Sequence, residues 1–171
     1  MGIAFDGIKR VNPEFDLELL DTYDEILCRI MPHIEDNEAG NIAYAVAVTK
    51  FLMRKLELRG ALEAAYDSGD RLALHELATT TIPAALTALY QVEGLFRQIW
   101  LARSKAFGLE RIQIRFAGQA ARLEELIVRI QEYLDGEIDS IEELDARLPW
   151  SAPSMPYHLY DNAAYGASST W

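Results

Sequence analysis

The residues able to do chemistry are few, and their spacing builds no familiar reaction centre. There are three histidines, His33, His75 and His158, and one cysteine, Cys28. His75-Glu76 is followed by Thr79 where an H-E-x-x-H zinc site needs its second histidine. No glutamate stands three residues before a histidine, so the Glu-x-x-His pair of di-iron bundles is missing too. No phosphate-cradling glycine loop and no G-x-S-x-G elbow occurs. His75 therefore reads as an ordinary helix residue, and neither a metal nor a cofactor is expected. A single cysteine excludes an internal disulfide framework and a cysteine-rich zinc site. Cys28 sits among Ile26, Leu27, Ile30 and Met31, which reads as a buried structural thiol rather than a nucleophile.

Carboxylates are plentiful, with 27 Asp and Glu. Acid–base catalysis needs two of them held at a set distance on a rigid frame, and spacing alone selects no pair. The arginines carry more information. Arg111, Arg115, Arg122 and Arg129 each lie one residue before an apolar seam position, so they border one side of a helix. One reading pairs them with acids of a neighbouring helix, such as the acidic first one. Exposed pairs of that kind contribute only ~0–1 kcal/mol each. The other reading aims Arg111 and Arg115, which lie near a chain reversal, at a partner or ligand. The candidate partner or docking contacts are Arg97, Trp100, Lys105, Arg111 and Arg115 near that reversal, and Trp150, Tyr157, Tyr160 and Trp171 in the tail.

The element that must position the first group is a helical hairpin from Ile82 to Leu134, folded back at Phe107-Gly108. Its first arm carries Leu86, Leu89, Val92, Phe96 and Ile99 at three- and four-residue steps. Its second carries Leu109, Ile112, Phe116, Leu123, Ile127, Ile130 and Leu134. That rhythm marks one apolar face on each arm. Gly94 and Gly118 lie at about the same level of the two arms, where close helix approach is one reason to accept glycine.

Before the hairpin, Asn12-Pro13-Glu14 is a helix start, with Asn as cap and Pro in the first turn. Leu19, Tyr23, Ile26, Leu27 and Ile30 form the apolar face of that helix, which should end near Met31-Pro32. Glu14, Glu18, Asp21 and Glu25 make an acidic stripe, read as a solvated face or a docking surface for a basic partner. A second helix is predicted over 41–66, apolar nearly all round from Ile42 to Met53 and so central. Asp67-Ser68-Gly69-Asp70 stops it and caps a short helix from Arg71 to about Thr79. Thr79-Thr80-Thr81-Ile82-Pro83 reads as a break, with Pro83 restarting the chain. Leu134-Asp135-Gly136-Glu137 ends the hairpin, and a short helix is predicted from Asp139-Ser140 to Leu148. The tail, Trp150 to Trp171, is nearly uncharged and interrupted by Pro153 and Pro156. It is too aromatic for an ordinary disordered linker and is expected to pack on the domain or on a partner.

The expectation is an all-α fold: an antiparallel bundle of about four main helices, with short helices and an aromatic, proline-containing tail. Residues 1–150 read as one helical domain and 151–171 as the tail. A chain of 171 residues buries about 70% of its unfolded surface, enough for a core without staples. The net charge of −11 argues against nucleic acid and against an anionic membrane surface. No apolar run reaches the ~18 residues of a membrane span. No basic-then-apolar signal segment opens the chain, so a cytoplasmic location is expected.

Several segments resemble the helical region that follows the barrel in bacterial glycoside hydrolase family 20 enzymes, the β-N-acetylhexosaminidases. They are Ala65-Tyr66-Asp67-Ser68-Gly69-Asp70-Arg71, Leu95-Phe96-Arg97-Gln98-Ile99-Trp100, Lys105-Ala106-Phe107-Gly108-Leu109-Glu110, and Tyr133-Leu134-Asp135-Gly136-Glu137 with Ile141-Glu142-Glu143-Leu144. The family's Asn-Lys-Pro-Phe-Gly-like turn reads Ser104-Lys105-Ala106-Phe107-Gly108 here. The resemblance spans about Gly40 to Leu148. It implies an accessory C-terminal helical domain, non-catalytic by itself, that supports a catalytic barrel or a dimer. The family's catalytic Asp-Glu pair lies at the end of a barrel strand and has no counterpart here, so no catalytic residue carries over. The expected partner is the parent barrel or a second copy, giving a homo-oligomer. The runner-up is a free-standing helical interaction module; a small helical enzyme is the least supported reading.

Overall fold

The computed structural model describes residues 13–35 and 40–145, with side chains from residue 18 onward. The tail after Asp145, with Trp150, Tyr157, Tyr160 and Trp171, lies outside the described residues, as does the end of the last predicted helix.

Among the described residues six α-helices run in order: α1 (Pro13–Ile30), α2 (Asn41–Ser68), α3 (Arg71–Glu76), α4 (Ile82–Arg103), α5 (Leu109–Asp135) and α6 (Glu142–Asp145). A 3-10 turn, Met31–His33, follows α1, and no strand occurs among the described residues. The architecture is the expected all-α bundle, built on four long helices. α2 touches α1, α3 and α4, which makes it the central helix that its all-round apolar first half predicted. α4 packs between α2 and α5.

Glycine ends the helices where the sequence placed it. Gly69 (φ +68°) and Gly136 (φ +77°) close α2 and α5 in the left-handed conformation that costs glycine least. The Asp70 side chain accepts from the Ala73 N–H at 3.0 Å and so caps α3.

The core gathers Leu58 and Leu62 of α2, Leu74 of α3, Leu89 of α4, Leu123, Leu126 and Ile130 of α5, and Ile141 and Leu144 beside α6. It therefore concentrates at the end of the bundle away from the hairpin bend. A polar clasp holds that end. The Tyr66 hydroxyl accepts from the Ile141 N–H at 2.9 Å and donates to Asp145 Oδ1 at 3.0 Å. The Arg71 guanidinium donates to the Leu134 carbonyl and lies over the Tyr133 ring.

Several expectations need correction. The Thr79–Pro83 break is not a break. α3 passes into α4 through a π-helical turn, Leu77–Thr81, with Thr81 and Ile82 in right-handed helical geometry. Pro83 lacks an N–H, and its ring would clash with the carbonyl of Thr79 in a regular helix. A wider turn, in which the Ile82 N–H reaches back to the Leu77 carbonyl, relieves this. Burial of Leu77, Ala78 and Ile82 keeps the chain in place.

Cys28 is exposed, not buried. α1 packs on α2 through Leu19, Leu20, Tyr23, Leu27 and Ile30, which stay only half-buried, and Cys28 lies one step round from that side. Ile26, expected on the same face, is 37% exposed. Gly94 is not a point of close helix approach, because a Cβ there would meet nothing within 4 Å. Arg129 does meet an acid of a neighbouring helix, Glu143 at 3.8 Å, but that helix is α6 and not α1, and its shorter pair is with Glu132 of its own helix at 2.8 Å.

Candidate functional site

The hairpin bend brings the predicted contact residues together. α4 ends at Ser104, whose N–H reaches the Trp100 carbonyl at 2.8 Å, and α5 begins after Gly108. Gly108 has φ +91°, the left-handed conformation that glycine adopts at least cost. Its N–H donates to Glu110 Oε2 at 2.8 Å, so the acid of the first turn closes back over the bend. The Trp100 indole N–H donates to the Lys105 carbonyl at 2.9 Å, which fixes the five-residue loop from inside. Trp100 is thus a structural contact of the turn, half-buried beneath it.

Behind the turn the aromatic rings form a chain. Tyr44 of α2 lies 5.8 Å from Phe96, and Phe96 lies 5.8 Å from Trp100 and 6.1 Å from Phe116 of α5, all tilted. Such tilted pairs contribute about 0.5–1.5 kcal/mol each beyond their buried area. This cluster was missed as a unit in the sequence. Phe96, Trp100 and Phe116 follow the periodicity, but Tyr44 joins them only through the packing of α2 on α4.

The outward side is basic and carries exposed apolar side chains, Phe107 foremost. Arg97, Arg103, Lys105, Arg111 and Arg115 are exposed, and none has an ion-pair partner among the described residues. Phe107 stands at the apex, 88% exposed, beside a shallow hollow formed with Ala106 and Glu110. Leu101 and Ile114 are also exposed on the two arms. The structure therefore brings Arg97, Trp100, Lys105, Arg111 and Arg115 to one end of the bundle. The other four predicted contacts lie outside the described residues.

Ionisable groups elsewhere serve the fold. Burial raises the Tyr66 hydroxyl above its ordinary pKa, and the Asp145 carboxylate adds to this against the lowering effect of the Ile141 N–H. The hydrogen bond to Glu132 raises Arg129, with Glu143 acting in the same direction. His75 is exposed on α3. Among the described residues, no three His, Cys, Asp or Glu side chains gather as a metal site would require. No helix of the described residues is long and apolar enough to cross a membrane.

What the geometry offers is a surface with an apolar apex and a cationic surround, suited to docking. Comparison with curated proteins finds no match. The family model for the glycoside hydrolase 20C C-terminal domain does match, over residues 16–158, and so takes in α1 as well as the region from Gly40 onward. By that match, which covers most of its length, the chain belongs to the glycoside hydrolase 20C C-terminal domain family.

Proposed function

We propose that this chain is the accessory helical domain of a β-N-acetylhexosaminidase, that it performs no hydrolysis itself, and that its hairpin end is its contact surface. The family match over residues 16–158 carries this reading. Phe107, 88% exposed at the apex, supports the contact role. An aromatic side chain that stays in water gives nothing to the fold of its own domain, whereas buried against a second surface it contributes about 1.5–3 kcal/mol. The basic residues around it supply orientation and faster encounter more than raw affinity.

The test is hydrolysis of an aryl N-acetyl-β-glucosaminide by the chain alone. No turnover above buffer is expected. Turnover that is lost on changing a single carboxylate of this chain would overturn the accessory reading.

A further inference from the structure

We propose that the hairpin end docks on α1 of a second copy of this chain, in a two-fold contact that joins a basic face to an acidic face twice. The proposal builds on the hairpin end as a contact surface and adds its partner.

The charges of this chain are sorted by place. Residues 94–123 hold six bases and one acid, a net +5 within a chain of net −11. Residues 13–30 hold six acids and one base, a net −5. Glu18, Asp21, Asp24 and Glu25 are all exposed on α1 and have no ion-pair partner among the described residues. α1 packs on α2, and its side chains on the other side are exposed among the described residues. Ile26 of α1 and Met31 of the turn after it are exposed apolar side chains, counterparts for Phe107 and Leu101.

The two faces also lie at the same end of the molecule. A Cβ at Gly40 would lie 3.9 Å from Ile99 Cγ1, so the start of α2 sits against the last turn of α4. The 3-10 turn after α1 packs on α2 as well, which brings the C-terminal end of α1 to that region. Both signs therefore lie toward one end of the bundle. A two-fold axis places each basic half on the acidic half of the other copy and satisfies both at once. The attraction between unlike faces works against the overall repulsion of a net charge of −11, which disfavours orientations that oppose like faces.

Sedimentation equilibrium of the 171-residue chain tests this. At about 50 mM salt the expected mass is twice the 19.3 kDa of one chain, and at about 0.5 M salt the dimer Kd should rise at least about tenfold as screening takes hold. R111E/R115E and D21K/E25K should each be monomeric, with unchanged helical circular dichroism. An equimolar mixture of the two variants should recover the dimer, because both contacts of the mixed pair are then of opposite sign. A wild-type monomer under both salts, a dimer strengthened by salt, or variants that fail to complement would each overturn the proposal. If a variant does not fold, the salt response of the wild type decides alone. A monomeric chain leaves the accessory-domain reading intact, since that rests on the hydrolysis assay.

Discussion

The ring of Trp100 lies against Gly108: a Cβ built on that glycine would meet Trp100 Cζ2 at 3.4 Å. The same indole donates to the Lys105 carbonyl at 2.9 Å. The bend of the hairpin is thus fixed by one aromatic residue of α4 and one glycine before α5. Glycine is required at 108 by its φ of +91°, while a Cβ there would make ordinary contact with the Trp100 ring. Gly108→Val should destabilise the domain by more than about 1 kcal/mol, since a β-branched side chain resists positive φ. Urea unfolding followed by circular dichroism measures it; an unchanged midpoint would mean the bend tolerates ordinary backbone geometry.

Phe107 should behave in the opposite way. At 88% exposure it contributes no burial to its own domain. Phe107→Ser should leave the unfolding free energy, measured in about 0.5 M salt, within about 0.5 kcal/mol of wild type. A loss of 2 kcal/mol or more (roughly what core burial of a ring contributes) would show that the ring packs within the fold.

Leu126 has no exposed surface and belongs to the core that joins α5 to α2, α3 and α4. Leu126→Ala should cost about 2–5 kcal/mol, the transfer of the lost atoms plus the cavity left behind. Thermal and urea unfolding report it, and a cost under about 1 kcal/mol would contradict this close packing.

Tyr66 ties the segment after α5 to α2 through Ile141 and Asp145. Tyr66→Phe keeps the ring but leaves the Ile141 N–H without its acceptor, so a loss of about 1–2 kcal/mol is expected near neutral pH. The hydroxyl's pKa is raised in the fold above the ordinary 10.0. The folded state then holds the proton more tightly than the unfolded state. This contribution is complete below about pH 10 and disappears as pH rises through the folded value. Unfolding midpoints between pH 8 and 11 should fall less steeply in Tyr66→Phe than in wild type. Parallel curves would show that Tyr66 does not set the alkaline limit.

The local signals in the sequence were reliable where one residue type has one physical use. Gly69, Gly108 and Gly136 all take positive φ, and each marks a helix end. The seam positions Leu89, Leu123 and Ile130 are buried, and Leu126 could have been added from its three- and four-residue spacing to those two. The Thr79–Pro83 signal does mark trouble for a regular helix, but not a break. Proline chemistry forbids the ordinary hydrogen bond there, but only the burial of Leu77, Ala78 and Ile82 decides that the chain widens into a π turn and continues.

By itself, then, the sequence determined the all-α class, the hairpin, the helix ends and the family wording of the bend, because periodicity and backbone preference act over a few residues. Tertiary structure decided which sides of those helices are used. Cys28 and Ile26 lie beside an apolar stripe yet are exposed, because the side of α1 that packs on α2 does not include them. Tyr44 meets Phe96, and Tyr66 meets Ile141, across 52 and 75 residues of chain. The basic face at the hairpin end forms only when the reversal sets Arg97 and Arg103 beside Arg111 and Arg115. Contacts of that length depend on where whole helices come to rest, and no local pattern encodes it.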